Sequence, residues 1–70
     1  RRLACFLLEV SERTGSTELH MTHEQIAQQI SSAREVVARM VKRFSAQGLV
    51  ESRRGILYLT DLDGLRKIVQ

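Results

Sequence analysis

Residues 22–48 read Thr-His-Glu-Gln-Ile-Ala-Gln-Gln-Ile-Ser-Ser-Ala-Arg-Glu-Val-Val-Ala-Arg-Met-Val-Lys-Arg-Phe-Ser-Ala-Gln-Gly. Thr22 and Gln25 form a Thr-x-x-Gln capping box, in which each side chain satisfies a backbone N–H at a helix start. Ile26, Ala27 and Ile30 supply that helix's apolar stripe. Ser31-Ser32 ends it near Ile30, and Ser32 with Glu35 reads as a second capping box. The spacing predicts a further helix over 33–47, stopped by Gly48 as a C′ glycine. Two helices joined by a tight turn are the expectation for this stretch.

The second helix has two unlike faces. At about 100° per residue, Val36, Val37, Met40, Val41 and Phe44 fall on one side. Arg34, Glu35, Ala38, Arg39, Lys42 and Arg43 fall on the other.

Working outward, Leu3, Phe6, Leu7, Leu8 and Val10 give residues 2–13 a helical apolar pattern. Gly15 is its expected C-terminal cap. Residues 18–21 fit a short strand. Leu49 to Leu59 alternates weakly around Ser52-Arg53-Arg54-Gly55, the pattern of a β-hairpin with a Gly-containing turn. Thr60 or Asp61 caps a last short helix carrying Leu62, Leu65, Ile68 and Val69. Asp63 reads as a further capping acid, and Gly64 weakens this helix. The order is helix, short strand, helix, helix, hairpin, helix. The fold class is therefore α+β, mainly α with a small β-hairpin. This is a winged helix-turn-helix with a three-helix core, a wing and a short C-terminal helix.

Seventy residues make one domain, of a size that buries about 60% of its unfolded surface. The chain starts at Arg1 without an initiating Met and reads as a piece of a longer protein. Cys5 is the single cysteine, which leaves no internal disulfide and no cysteine-based zinc site. No apolar run approaches the ~18 residues of a membrane span, and a cytoplasmic, reducing location is expected.

The net charge is +3, and its distribution is uneven. Residues 34–54 hold six basic side chains against two acidic ones, while the rest of the chain is slightly acidic. Such a basic stripe is the footprint of a polyanion binder.

A recognition helix buries one face and offers the other to the DNA major groove, which is about 12 Å wide. Arg34, Glu35 and Arg39 lie in its first two turns. Arginine can donate two hydrogen bonds to guanine O6 and N7, and glutamate can accept from cytosine N4. Ala38 is small and permits close approach. Lys42 and Arg43 are placed to meet phosphates. The competing reading is a solvated charged face with a Glu35–Arg39 helical pair worth about 0.2–0.5 kcal/mol.

Thr22 and the start of its helix offer phosphate contacts, joined by Ser32 and His23. His23 can equally be an inert surface residue. Arg53 and Arg54 at the wing tip reach for the backbone or minor groove, or simply keep a turn soluble. His20 is read as structural. No catalytic constellation, phosphate-cradling loop or metal cluster stands out, so no enzyme, metal or cofactor is expected. A protein–protein module with a basic face, or a non-specific nucleic-acid binder, are the alternatives.

The whole chain resembles the C-terminal DNA-binding domain of the Crp/Fnr family, bacterial regulators related to the cyclic-AMP receptor protein. The resemblance is carried by Thr22-x-x-Gln-Ile-Ala, Arg34-Glu-x-Val-x-Arg39, Gly48-Leu-Val and Arg54-Gly-Ile-x-Tyr-Leu. It implies base reading by Arg34, Glu35 and Arg39, with the spacing of the cyclic-AMP receptor branch. The oxygen-sensing branch typically places Glu, Ser and Arg there, and position 38 here is Ala. It further implies a TGTGA-like half-site in an inverted repeat. An N-terminal effector domain, a homodimer in the full-length protein and RNA polymerase as a partner are implied as well. The isolated domain is then a monomer or weak dimer. Two positions depart from the family pattern. Ser31 stands where the turn usually has Gly, which implies a left-handed residue at some cost. Ala33 replaces a phosphate-contacting hydroxyl, which removes one positioning contact.

Overall fold

The computed structural model describes residues 2–70. Helix α1 spans Arg2–Thr14 and buries Leu3, Ala4 and Leu7. It ends where expected: Gly15 has φ +67°, and its N–H donates to the Ser11 carbonyl at 2.9 Å. Strand β1 is the two-residue Glu18–Leu19, followed by α2 at His23–Gln29 and α3 at Arg34–Ala46. The wing is β2 at Val50–Arg53 and β3 at Ile56–Leu59, and α4 closes the chain at Leu62–Val69.

The sheet has three strands in the order β1-β3-β2, all antiparallel. The expected hairpin is present, and β1 adds to its outer edge by pairing Leu19 with Leu57. This pairing ties the loop after α1 to the wing. Helix α1 packs on α4, α2 on α3, and α3 on β2. The core is aliphatic, with Leu3, Leu7, Leu19, Ile26, Val37 and Leu65 fully enclosed. Burying each such side chain is worth about 1.5–3 kcal/mol.

The Thr22 capping box forms as the spacing predicts. Thr22 Oγ1 accepts from the Gln25 N–H at 3.1 Å, and Gln25 Oε1 accepts from the Thr22 N–H at 2.9 Å. Helix α2 then ends on Ile30, with Ser31 in the left-handed region at φ 54°. The Ser32 N–H donates to the Ala27 carbonyl at 2.8 Å and the Ser31 N–H to that of Gln28 at 3.4 Å. These are the two bonds of a Schellman closure, which usually uses glycine.

That closure overturns the second capping box. The N-cap of α3 is Ala33, which has no side-chain cap bond, so Ser32 precedes the cap and Glu35 is the second helical residue. The Ser31 turn uses the Ser32 N–H to end α2. The chain therefore enters α3 one residue later than Ser32-x-x-Glu35 requires. Helix α3 ends in a second Schellman closure, with Gly48 at φ +76° and the Leu49 N–H donating to the Phe44 carbonyl at 2.9 Å.

Asp61 caps α4, accepting from the Gly64 N–H at 2.9 Å. Asp63 does not cap; it accepts from Arg66 at 2.9 Å. Leu49 is the joint of this end of the fold. Its carbonyl accepts from both Thr60 and Asp61.

Candidate nucleic-acid interface

Helix α3 is fixed by the burial of Val37, Val41 and Phe44, which turns the opposite face to solvent. Arg34, Glu35, Arg39, Lys42 and Arg43 are all exposed there, and Ala38 is half-buried among them. Val36 does not join the apolar side as the helical wheel predicts. It is 38% exposed, and Met40 is only partly buried. The buried stripe is narrower because α2 and β2 cover α3 from one side, which leaves Val36 on the uncovered flank.

Among the described residues, none of the five charged side chains of this face enters an ion pair or a side-chain hydrogen bond. The Glu35–Arg39 pair of the solvated-face reading is absent among these contacts. Ion pairs elsewhere join Glu51 to Arg53 and Asp63 to Arg66, and His20 Nε2 lies 3.6 Å from Glu18 Oε1. His20 is exposed beside Glu18 rather than built into the core.

The fold brings the start of α2, the start of α3 and the wing to one groove. Thr22, His23, Arg34, Ser52, Gly55 and Leu57 line it. Thr22 is exposed with its oxygen engaged by the cap, and His23 is half-buried. Ser32 is half-buried in the turn and lies outside this lining.

The wing turn is Arg54-Gly55, with φ 51° and 78°. Positive φ at both positions is the mark of the type I′ hairpin turn, whose twist matches the strands. Arg54 projects at the tip without a partner among the described residues. Arg53 is engaged: it pairs with Glu51 and lies over the Tyr58 ring at 5.6 Å from its centroid. The hydrogen bond that Arg53 donates to Glu51, and then the Glu51 charge, raise the Arg53 guanidinium above its ordinary pKa. Sequence reading treated Arg53 and Arg54 alike and missed this cluster. The signal was there, since residues 51 and 53 share a strand face, and Glu51 sits directly opposite Tyr58.

Cys5 is exposed and free, and no group of three metal-binding side chains occurs among the described residues. Among the described residues, no helix is long and apolar enough to cross a membrane.

Residues 1–68 match the Crp-like helix-turn-helix domain. The chain belongs to this family. The family is a DNA-binding domain of transcription regulators, a non-enzymatic class. The chain is 32% identical over 75 residues to the transcriptional regulator SdrP of Thermus thermophilus. It is 36% identical over 76 residues to the transcriptional regulatory protein btr of Bordetella pertussis. Each alignment covers 99% of this chain and only 37% and 31% of those proteins.

Among solved structures, a Crp/Fnr-family transcriptional regulator from Eubacterium rectale superposes with a TM-score of 0.93 at 42% identity. That match covers 96% of this chain and 31% of the other. The catabolite activator protein of Thermus thermophilus superposes at 0.90 with 22% identity, over 96% of this chain and 32% of its own, which bears on the fold alone. The four helices and small antiparallel sheet of this Crp-like domain are thus the α+β winged helix expected from the sequence.

Proposed function

We propose that this domain reads double-stranded DNA in the major groove through the first two turns of α3. Arg34, Glu35 and Arg39 contact base edges. Lys42, Arg43, Thr22, His23, Ser32, Arg53 and Arg54 contact the phosphate backbone. The observation that carries this reading is the state of the three reading side chains. They are exposed and unpaired among the described residues, on a helix whose other face is buried. Side chains committed to surface ion pairs would have to break them before reading a base. Here the donors and the acceptor are already free.

The half-site is TGTGA-like, an inverted repeat read by two copies of the domain. Residues 1–70 are one winged-helix domain of a longer cytoplasmic regulator. An N-terminal effector domain brings two copies together and couples a signal to RNA polymerase.

A gel shift tests this on a TGTGA inverted repeat against a scrambled duplex. The repeat is expected to bind more tightly, with binding falling steeply as salt rises. Arg34→Ala is expected to cost about 1–3 kcal/mol and to relax preference at one base pair. Lys42→Ala is expected to weaken both duplexes alike. Equal binding to the two duplexes would favour a non-specific binder, and no binding to either would favour a protein-contact module.

A further inference from the structure

Among the described residues, Val36 is the large apolar side chain left exposed, at 38%. It is the third residue of α3, directly after Glu35 and three before Arg39. Valine is a mediocre helix former, and Val36 is not among the apolar side chains packed on the core.

Its place on the helix is specific. At about 100° per residue, Val36 lies about 60° beyond Arg39, on the side away from Arg34. Arg34 and Val36 therefore bracket the face on which Glu35 and Arg39 are central. Along base edges the major groove presents donors, acceptors and one apolar group, the C5-methyl of thymine. A β-branched side chain is stiff at χ1 in a helix, so its methyls are held in place before contact.

We infer that Val36 is a specificity-determining residue that packs on a thymine C5-methyl, beyond the base pair read by Arg39. This rests on the DNA reading proposed above. Glu35 and Arg39 select by hydrogen bonding, and Val36 adds selection by shape and desolvation at a neighbouring A·T pair.

The test starts from the site that the 70-residue chain selects out of randomised duplex at fixed salt. Each thymine of that site is then replaced singly by deoxyuridine, which removes only the methyl. One replacement is expected to weaken wild-type binding about fourfold, the worth of one buried methyl. Val36→Ala is expected to bind the thymine site about fourfold more weakly and to ignore the same replacement. Val36→Thr keeps one methyl and the side-chain volume, so it should retain part of the discrimination. Circular dichroism of both variants should superpose on wild type. If Val36→Ala disturbs the helix, the threonine variant alone decides. A flat deoxyuridine scan, or a variant that keeps the wild-type ratio, overturns the inference while Arg34-dependent reading stands. Selection that yields no preferred site overturns both.

Discussion

Gly64 lies directly beneath Leu49. A Cβ at position 64 would collide with Leu49 Cδ2 and come within 2.7 Å of the Asp61 carboxylate. Leu49 is only 6% exposed and belongs to the buried core, so its side chain must shift against packed neighbours. Helix propensity alone says that Gly64→Ala should stabilise α4 by about 1 kcal/mol. The collision is worth more, since overpacking typically costs about 1–3 kcal/mol. The expected net result is destabilisation, read as a lower melting temperature. At roughly 4–8 °C per kcal/mol for a domain of this size, the shift is easily measured. A rise in melting temperature would show that Leu49 and the Asp61 cap can move aside.

Ser31 predicts the opposite sign. It occupies the left-handed region at φ 54°, in a closure that glycine usually makes. A side chain there costs about 1–2 kcal/mol, and part of that returns as unfolded-state entropy when glycine replaces it. Ser31→Gly is therefore expected to stabilise by about 0.5–1 kcal/mol in urea unfolding, with an unchanged m-value. A loss of stability would mean that the Ser31 hydroxyl has a role its geometry does not suggest.

The α3 entrance gives a pair of opposed expectations. Ala33 stands at the N-cap without a side-chain bond. Ala33→Ser is expected to add about 1 kcal/mol by capping the first turn. Ser32→Ala should lose almost nothing, whereas a capping Ser32 would lose about as much as Ala33→Ser gains. Measuring both separates a cap at 33 from a cap at 32.

The wing predicts an effect on binding. Glu51 holds Arg53 and cancels its charge near the tip. Glu51→Gln removes that hold and one negative charge from the proposed DNA side. Affinity is expected to rise for any sequence, and the slope of log K against log salt to steepen by about 0.9. The fold should be unaffected, because the pair is exposed and screened by solvent. A rise confined to one DNA sequence would place Arg53 at a base edge instead of the backbone.

Much of this fold is written in short-range signals. The Thr22–Gln25 box, the Gly15 and Gly48 caps and the Asp61 cap each depend on residues within one turn, so spacing alone locates them. What spacing missed is decided at longer range. The Ser32–Glu35 box has the right letters, but the close of α2 on Ser31 uses the Ser32 N–H first. Val36 sits at the margin of the apolar stripe, where its exposure depends on the position of α2 and β2. Gly64 reads as a weak point of α4 until Leu49 is placed against it. The pairing of β1 with β3 joins residues some forty positions apart, which no local pattern records. For the proposed interface, the sequence supplied the candidate reading residues. Their freedom from ion pairs, and the capture of Arg53 by Glu51, needed coordinates.

Arg34, Glu35 and Arg39 fill no core space and hold no neighbour in place. Changes at such positions usually alter stability by no more than about 0.5 kcal/mol. On the proposed DNA reading, vocabulary and scaffold are therefore separable in this domain. Substitution at two or three of these positions can give a descendant a new target while the fold is inherited intact. A regulator built this way can be reassigned within a genome without passing through an unstable ancestor.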